Sequence, residues 1–109
     1  MAGKFTIFSG KGGKTYFNLK AGNGEIILAS QGYVDKGGAR NGVESVKSNA
    51  ANPARFEKKT AANGKFHFSL KAGNGQIIGN SEMYDTEKAR DAGIASVANH
   101  APGASLTEE

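Results

Sequence analysis

Leu19-Lys20-Ala21-Gly22-Asn23-Gly24 returns unchanged as Leu70-Lys71-Ala72-Gly73-Asn74-Gly75, an offset of 70 − 19 = 51 residues. Asn-Gly between two apolar runs predicts a tight antiparallel turn of type I′, because both residues tolerate the positive φ which that turn demands. The signature Gly22, Asn23, Gly24 with its copy Gly73, Asn74, Gly75 is therefore architectural. The same offset brings Phe5 onto Phe56, Gly13-Lys14 onto Gly64-Lys65, Phe17 onto Phe68, Tyr33 onto Tyr84 and Ser45-Val46 onto Ser96-Val97. An internal repeat of this length marks one supersecondary unit used twice.

Each unit reads as three strands, a helix and a short closing strand. Thr15 to Leu19 alternates with period two, so Phe17 and Leu19 face a core while Tyr16, Asn18 and Lys20 face a wetter side. Phe66, Phe68 and Leu70 mark the core face of the second copy, with His67, Ser69 and Lys71 opposite. Strands are expected near 4–9, 14–21, 25–30, 55–60, 65–72 and 76–81, and helices near 35–49 and 86–99. The orientation of the third strand in each unit stays open, since both of its faces are apolar. Asp85 or Thr86 caps the second helix, and Ala89, Gly93, Ile94 and Val97 form its apolar stripe. The first helix is weakened by Gly37, Gly38 and Gly42, each costing about 1 kcal/mol against alanine. Pro53 and Pro102-Gly103 stop the helices. Ala104-Ser105-Leu106-Thr107 is expected to be a true strand that returns to the other unit's side of the sheet, with Glu108 and Glu109 adding little.

With 109 residues, the chain is long enough for one modest core, and we expect a single domain over 1–109 made of units 4–54 and 55–109. Without cysteine, it has neither a disulfide framework nor thiolate chemistry. No apolar run suits a membrane span, the N-terminus lacks the apolar core of a secretion signal, and a cytoplasmic location is expected. The net charge of +4 is mild, with lysines gathered on the strands and acids beside the helices.

Candidate chemistry is sparse. Ser9-Gly10-Lys11-Gly12-Gly13-Lys14-Thr15 ends like a phosphate-binding loop, but Phe8 stands where that loop needs glycine and a strand follows instead of a helix. His67 and His100 have no second ligand at metal spacing, and neither recurs in the repeat. Glu82, Asp85, Glu87 and Asp91 lack the ordered spacing of a calcium loop and read as helix-start electrostatics. Tyr33 and Tyr84 are expected to pack where strand gives way to helix, their hydroxyls reaching a backbone group. No catalytic residue, metal ligand or cofactor site is assigned.

Phe56 to Lys58, the run Gly64 to Gly75, Ser81-Glu82-Met83-Tyr84 and Gly93-Ile94-Ala95-Ser96-Val97, with their first-unit copies, resemble the YegP-like family of small bacterial proteins. The resemblance covers nearly the whole chain. It implies an α+β fold of two tandem β-β-β-α-β units merged into a single antiparallel sheet with exchanged C-terminal strands, helices on one face, as a monomer with internal pseudo-two-fold symmetry. It supplies no activity and no site residues. The expected role is a non-enzymatic interaction module for a protein partner, through the open sheet face or a strand edge. The alternative is RNA or single-stranded DNA on a face presenting Tyr16, Lys20, His67 and Lys71, since aromatics among cations stack bases and hold phosphates.

Overall fold

The structure, a computed structural model, describes residues 3–108; Met1, Ala2 and Glu109 lie outside it. The first repeat gives strands β1 (Lys4–Ser9), β2 (Thr15–Lys20) and β3 (Ile26–Ala29), then helix α1 (Lys36–Asn49). The second gives β4 (Phe56–Thr60), β5 (Phe66–Lys71) and β6 (Ile77–Asn80), helix α2 (Glu87–His100) and a closing strand β7 (Ser105–Glu108). Asp35 caps α1 by accepting from the Gly38 amide, and Thr86 caps α2 by accepting from Ala89.

The repeated turn differs from the expected type. Only Gly24 and Gly75 take positive φ, at 87° and 88°; Asn23 and Asn74 do not. The Gly24 amide donates to Ala21, the Ala21 amide to Glu25, and the Asn23 side-chain oxygen accepts from the Glu25 amide. This is a three-residue loop with one left-handed glycine, in which asparagine acts through its side chain. Ala61-Ala62-Asn63-Gly64 makes the same turn a third time. A register shift between Leu19 and Lys20, and another between Leu70 and Lys71, lead into the two loops.

All seven strands join one sheet in the order β4-β5-β6-β3-β2-β1-β7. The two repeats meet where β3 and β6 pair antiparallel through Ala29 and Asn80. The sheet is mixed, not wholly antiparallel: β7 runs parallel to β1, with Leu106 beside Phe5 and Glu108 beside Ile7. A crossover from α2, which packs on β5 and β3, delivers it to the edge beyond β1, so its direction is set by the helix and not by a hairpin. Arg40 of α1 meets the Glu108 carboxylate at 2.6 and 2.7 Å.

Leu28 pairs with Leu19 and Gly79 with Leu70, which puts the third strand's Leu28 on the buried face and fixes the orientation the sequence left open. Phe5, Ile7, Phe17, Leu19, Phe68 and Leu70 on the strands meet Val43, Val46 and Val97 on the helices, all fully buried. The helices reach across the repeats. α1 packs on β1 and β2 but also on β5 and β6, and α2 on β5 but also on β3.

Tyr33 and Tyr84 use their backbones, not their hydroxyls, to pair: each bonds in both directions with Thr15 or Phe66. Their rings stack on Phe17 and Phe68. A Cβ built at Gly42 or Gly93 would come within 2.4 Å of the tyrosine hydroxyl, so the helix glycine of each repeat makes room for that ring. One difference between the copies is a paired one. Phe66 and Arg90 stand where the first unit has Thr15 and Ala39; Arg90, 5% exposed, lies over the Phe66 ring and faces Glu87 and Asp91.

Candidate functional site

The four residues expected to share a binding face form two separate pairs. Tyr16 and Lys20 lie on β2, His67 and Lys71 on β5, and β3 and β6 run between them, so three strand spacings, about 14 Å, separate the pairs. Tyr16 stacks on Phe8 with ring centres 5.9 Å apart, and Lys20 stands opposite Lys4. On the other side His67 stands opposite Lys59, and Glu57 is shared by Lys71 at 3.1 Å and Lys59 at 3.4 Å. Those two ammonium groups hold the Glu57 carboxyl below the usual carboxylate range, Lys71 first. Half of the cationic charge on this patch is thereby neutralised, which weakens it for a polyanion.

The turn signature has a second role in place. Ala72, Asn74 and Gly75 of the second turn border a cleft of about 700 Å³ against α1, and Ala21, Gly22 and Asn23 of the first border its counterpart of about 430 Å³ against α2. Ser45 and Ser96, equivalent in the repeat, line the two clefts in turn. The larger one is lined by Gln31, Asn41 and Gln76, where the second repeat and the first turn have Glu82, Ala92 and Glu25. Its one ionisable group is Tyr33, and burial pushes that phenol up, so it stays a hydrogen-bond donor near neutrality. The lining offers hydrogen bonds without a general base. In the smaller cleft His100 Nδ1 lies 2.7 Å from the Ser96 carbonyl, which makes that nitrogen the donor.

A third recess, about 380 Å³, lies under the free side of β4, where Phe56 and Lys58 face Asp91, Ile94, Ala95 and Ala98 of α2. Its origin is the repeat itself. β1 and β4 are equivalent, and they pair equivalently: Phe5 with Leu19 and Ile7 with Phe17, Phe56 with Leu70 and Lys58 with Phe68. β1 has β7 on its outer side, whereas β4 ends the sheet, and among the described residues β5 is its one neighbour. The reason is topological. The strand that follows α1 closes the first unit and opens the second at once, so two repeats that would complete eight strands furnish seven. Phe5 and Ile7, covered by β7, are fully buried; Phe56 is half-buried and Lys58 exposed.

Sequence reasoning named a strand edge without saying which, because Phe56-Glu57-Lys58-Lys59-Thr60 looks like any amphipathic strand. The available signal was the double duty of β4, visible in the count of closing segments. Asp91 takes the repeat position of Arg40, and its carboxylate, 3.3 Å from Lys58 Nζ, is held below the usual range by Lys58 and Arg90 against the opposing effect of burial. No helix among the described residues is long and apolar enough to cross a membrane.

Comparison with known proteins adds a family and solved relatives. The profile of a family described as a domain of unknown function, DUF1508, matches twice, over residues 11–57 and 61–108. A UPF0339 protein encoded in the ptx operon 5′ region of Stutzerimonas stutzeri is 55% identical over 108 residues, covering 99% of this chain and 97% of that one. UPF0339 protein YegP of Escherichia coli K12 is 54% identical over 97 residues, covering 89% and 88%. The solution structure of yegP from E. coli superposes with a TM-score of 0.94 at 48% identity, covering all of this chain and 94% of that one. A UPF0339 protein from Shewanella oneidensis follows with a TM-score of 0.93 at 44% identity, covering 99% and 92%.

Proposed function

The chain belongs to the DUF1508 family, and from the edge that two fused copies of its repeat leave free we propose that it is a non-enzymatic interaction module which takes up an extended segment of a partner protein beside β4. The observation that supports this most directly is β7. On the equivalent edge a four-residue strand adds to β1 in parallel register, places a leucine over Phe5 and is fastened by an ion pair to the helix behind. Strand addition of this kind draws affinity from backbone hydrogen bonds and specificity from the side chains that enter a groove. Beneath β4 such a groove exists, and its lining is mostly apolar.

The charges on the edge fit selective use. Lys58 and Lys59 are a common guard against indiscriminate edge pairing, and they disfavour β4 pairing with β4 of a second copy, where lysines would meet lysines. The test is capture of partners from a bacterial lysate with and without nuclease, followed by amide hydrogen exchange on the purified complex. Slowed exchange across Phe56–Thr60 is expected. Retention that vanishes with nuclease, or slowing confined to the Tyr16 and Lys20 side of the sheet, refutes the reading.

A further inference from the structure

Resting on that reading, we infer that the segment bound beside β4 is acidic and runs parallel to it, with an apolar residue beside Phe56 and an aspartate or glutamate two positions later beside Lys58. The chain's own β7 supplies the pattern. Leu106 lies beside Phe5 and Glu108 beside Ile7, and residues two apart on a strand share a face, so both side chains turn toward the helix layer. There Arg40 meets the Glu108 carboxylate with two hydrogen bonds.

At the β4 edge the same two positions are prepared with one exchange of roles. Phe56 repeats Phe5, and Ile94, Ala95 and Ala98 replace Val43, Glu44 and Lys47, which leaves a recess of small apolar groups for the first side chain. The cation has moved from the helix to the strand: Ile7 becomes Lys58, while Arg40 becomes Asp91. Lys58 and Asp91 are each half-exposed at 3.3 Å, so water already loosens the pair and an entering carboxylate can take Lys58 from Asp91, which turns to solvent. Arg90, buried beside them, is answered by Asp91 at 3.3 Å and Glu87 at 3.6 Å, so the cation open to the segment at this position is Lys58. On the outer face Glu57 answers two lysines, Lys59 and Lys71, and leaves one positive charge in excess for further acids at the alternate positions. A basic segment would meet Lys58, Lys59 and Arg55 instead.

The probe is a capped peptide of the sequence Ala-Ser-Leu-Thr-Glu-Glu, identical to residues 104–109, titrated into the full chain while backbone amide resonances are followed by NMR at low salt. Two altered peptides accompany it, one with leucine replaced by serine and one with both glutamates replaced by lysine. The parent peptide is expected to shift Phe56–Thr60 and the groove residues Ile94 and Ala95. Each altered peptide is expected to bind ~10-fold more weakly or worse, the value of one buried leucine or one lost charge-assisted contact. Lys58→Glu should reverse the order of the acidic and basic peptides. Equal binding of the lysine peptide at β4 overturns the inference while the strand-addition reading stands. Shifts on β1 and β7 alone, or none with any peptide, overturn the inference, and the exchange footprint on the natural complex then judges the reading separately.

Discussion

Ending the chain after Gly103 removes β7 and asks whether a four-residue terminal strand carries weight. Leu106 is 40% exposed, so about three-fifths of its side chain is covered, worth about 1–2 kcal/mol of the ~1.5–3 kcal/mol for full burial. The cut also opens Phe5 and Ile7, both fully buried now, and returns the outer backbone groups of β1 to water. The exposed Arg40–Glu108 pair adds little beyond register, as surface pairs do. At ~4–8 °C per kcal/mol for a domain near this size, the leucine alone predicts a fall of roughly 4–16 °C in thermal midpoint. Circular dichroism melts of the full chain and the shortened one, each with its mass measured by light scattering, provide the assay. Shortened chains that dimerise by borrowing a strand would also agree with the reasoning. Equal midpoints with both proteins monomeric would refute it.

Gly42→Ala and Gly93→Ala should each lower the midpoint despite a better helix former, because the new methyl meets the tyrosine hydroxyl and overpacking costs about 1–3 kcal/mol against the ~1 kcal/mol gained. Gly37→Ala should not, its nearest neighbour being the Asp35 carboxylate at 3.4 Å; three equal melts would remove the argument for ring packing. Arg40 holds the Glu108 carboxyl below the usual glutamate range, first by the hydrogen bond, so its stabilisation is complete above that range and is lost as the pH falls through the lowered value. Exchange at β7 amides should accelerate over that window, and Glu108→Gln should flatten the response; an unchanged acid profile in the variant would count against the pair. Glu57→Gln frees Lys59 and Lys71 and should raise the salt needed to elute the protein from a heparin column, an effect whose absence would show that Glu57 does not neutralise the patch.

Much of this architecture is legible in the residues because its signals are local. The three-strand pattern, both helices and Pro53 as a stop follow from alternation, caps and breakers within a few residues of each other. The turn type was not legible: Asn-Gly serves a type I′ loop and a three-residue loop alike, and the register shift that separates them depends on the partner strand. Nor was the parallel sense of β7, which is decided by where α2 leaves the chain. The expected face of Tyr16, Lys20, His67 and Lys71 divided for a similar reason. Period two shows which side of a strand is wet, but not that β3 and β6 intervene between β2 and β5. Arg90 was read past because it adjoins the stripe of Ala89, Gly93, Ile94 and Val97, and an arginine there reads as exposed until its partner Phe66 is in place.

The reach of each helix over the opposite repeat makes the two copies an interlock. One residue pair, Ala29 with Asn80, joins the half-sheets, yet α1 rests partly on β5 and β6, and α2 partly on β3. Loosening one half therefore takes support from the other's helix, and one melting event rather than two is expected in a calorimetric scan. A chain severed between Ala51 and Asn52, in the exposed link after α1, would yield two fragments that each lose part of the seat of their own helix, β5 and β6 for α1 and β3 for α2. Such fragments are expected to be less stable apart than joined and to reassemble when mixed, so a protein built by duplication would behave on division as a complementing pair.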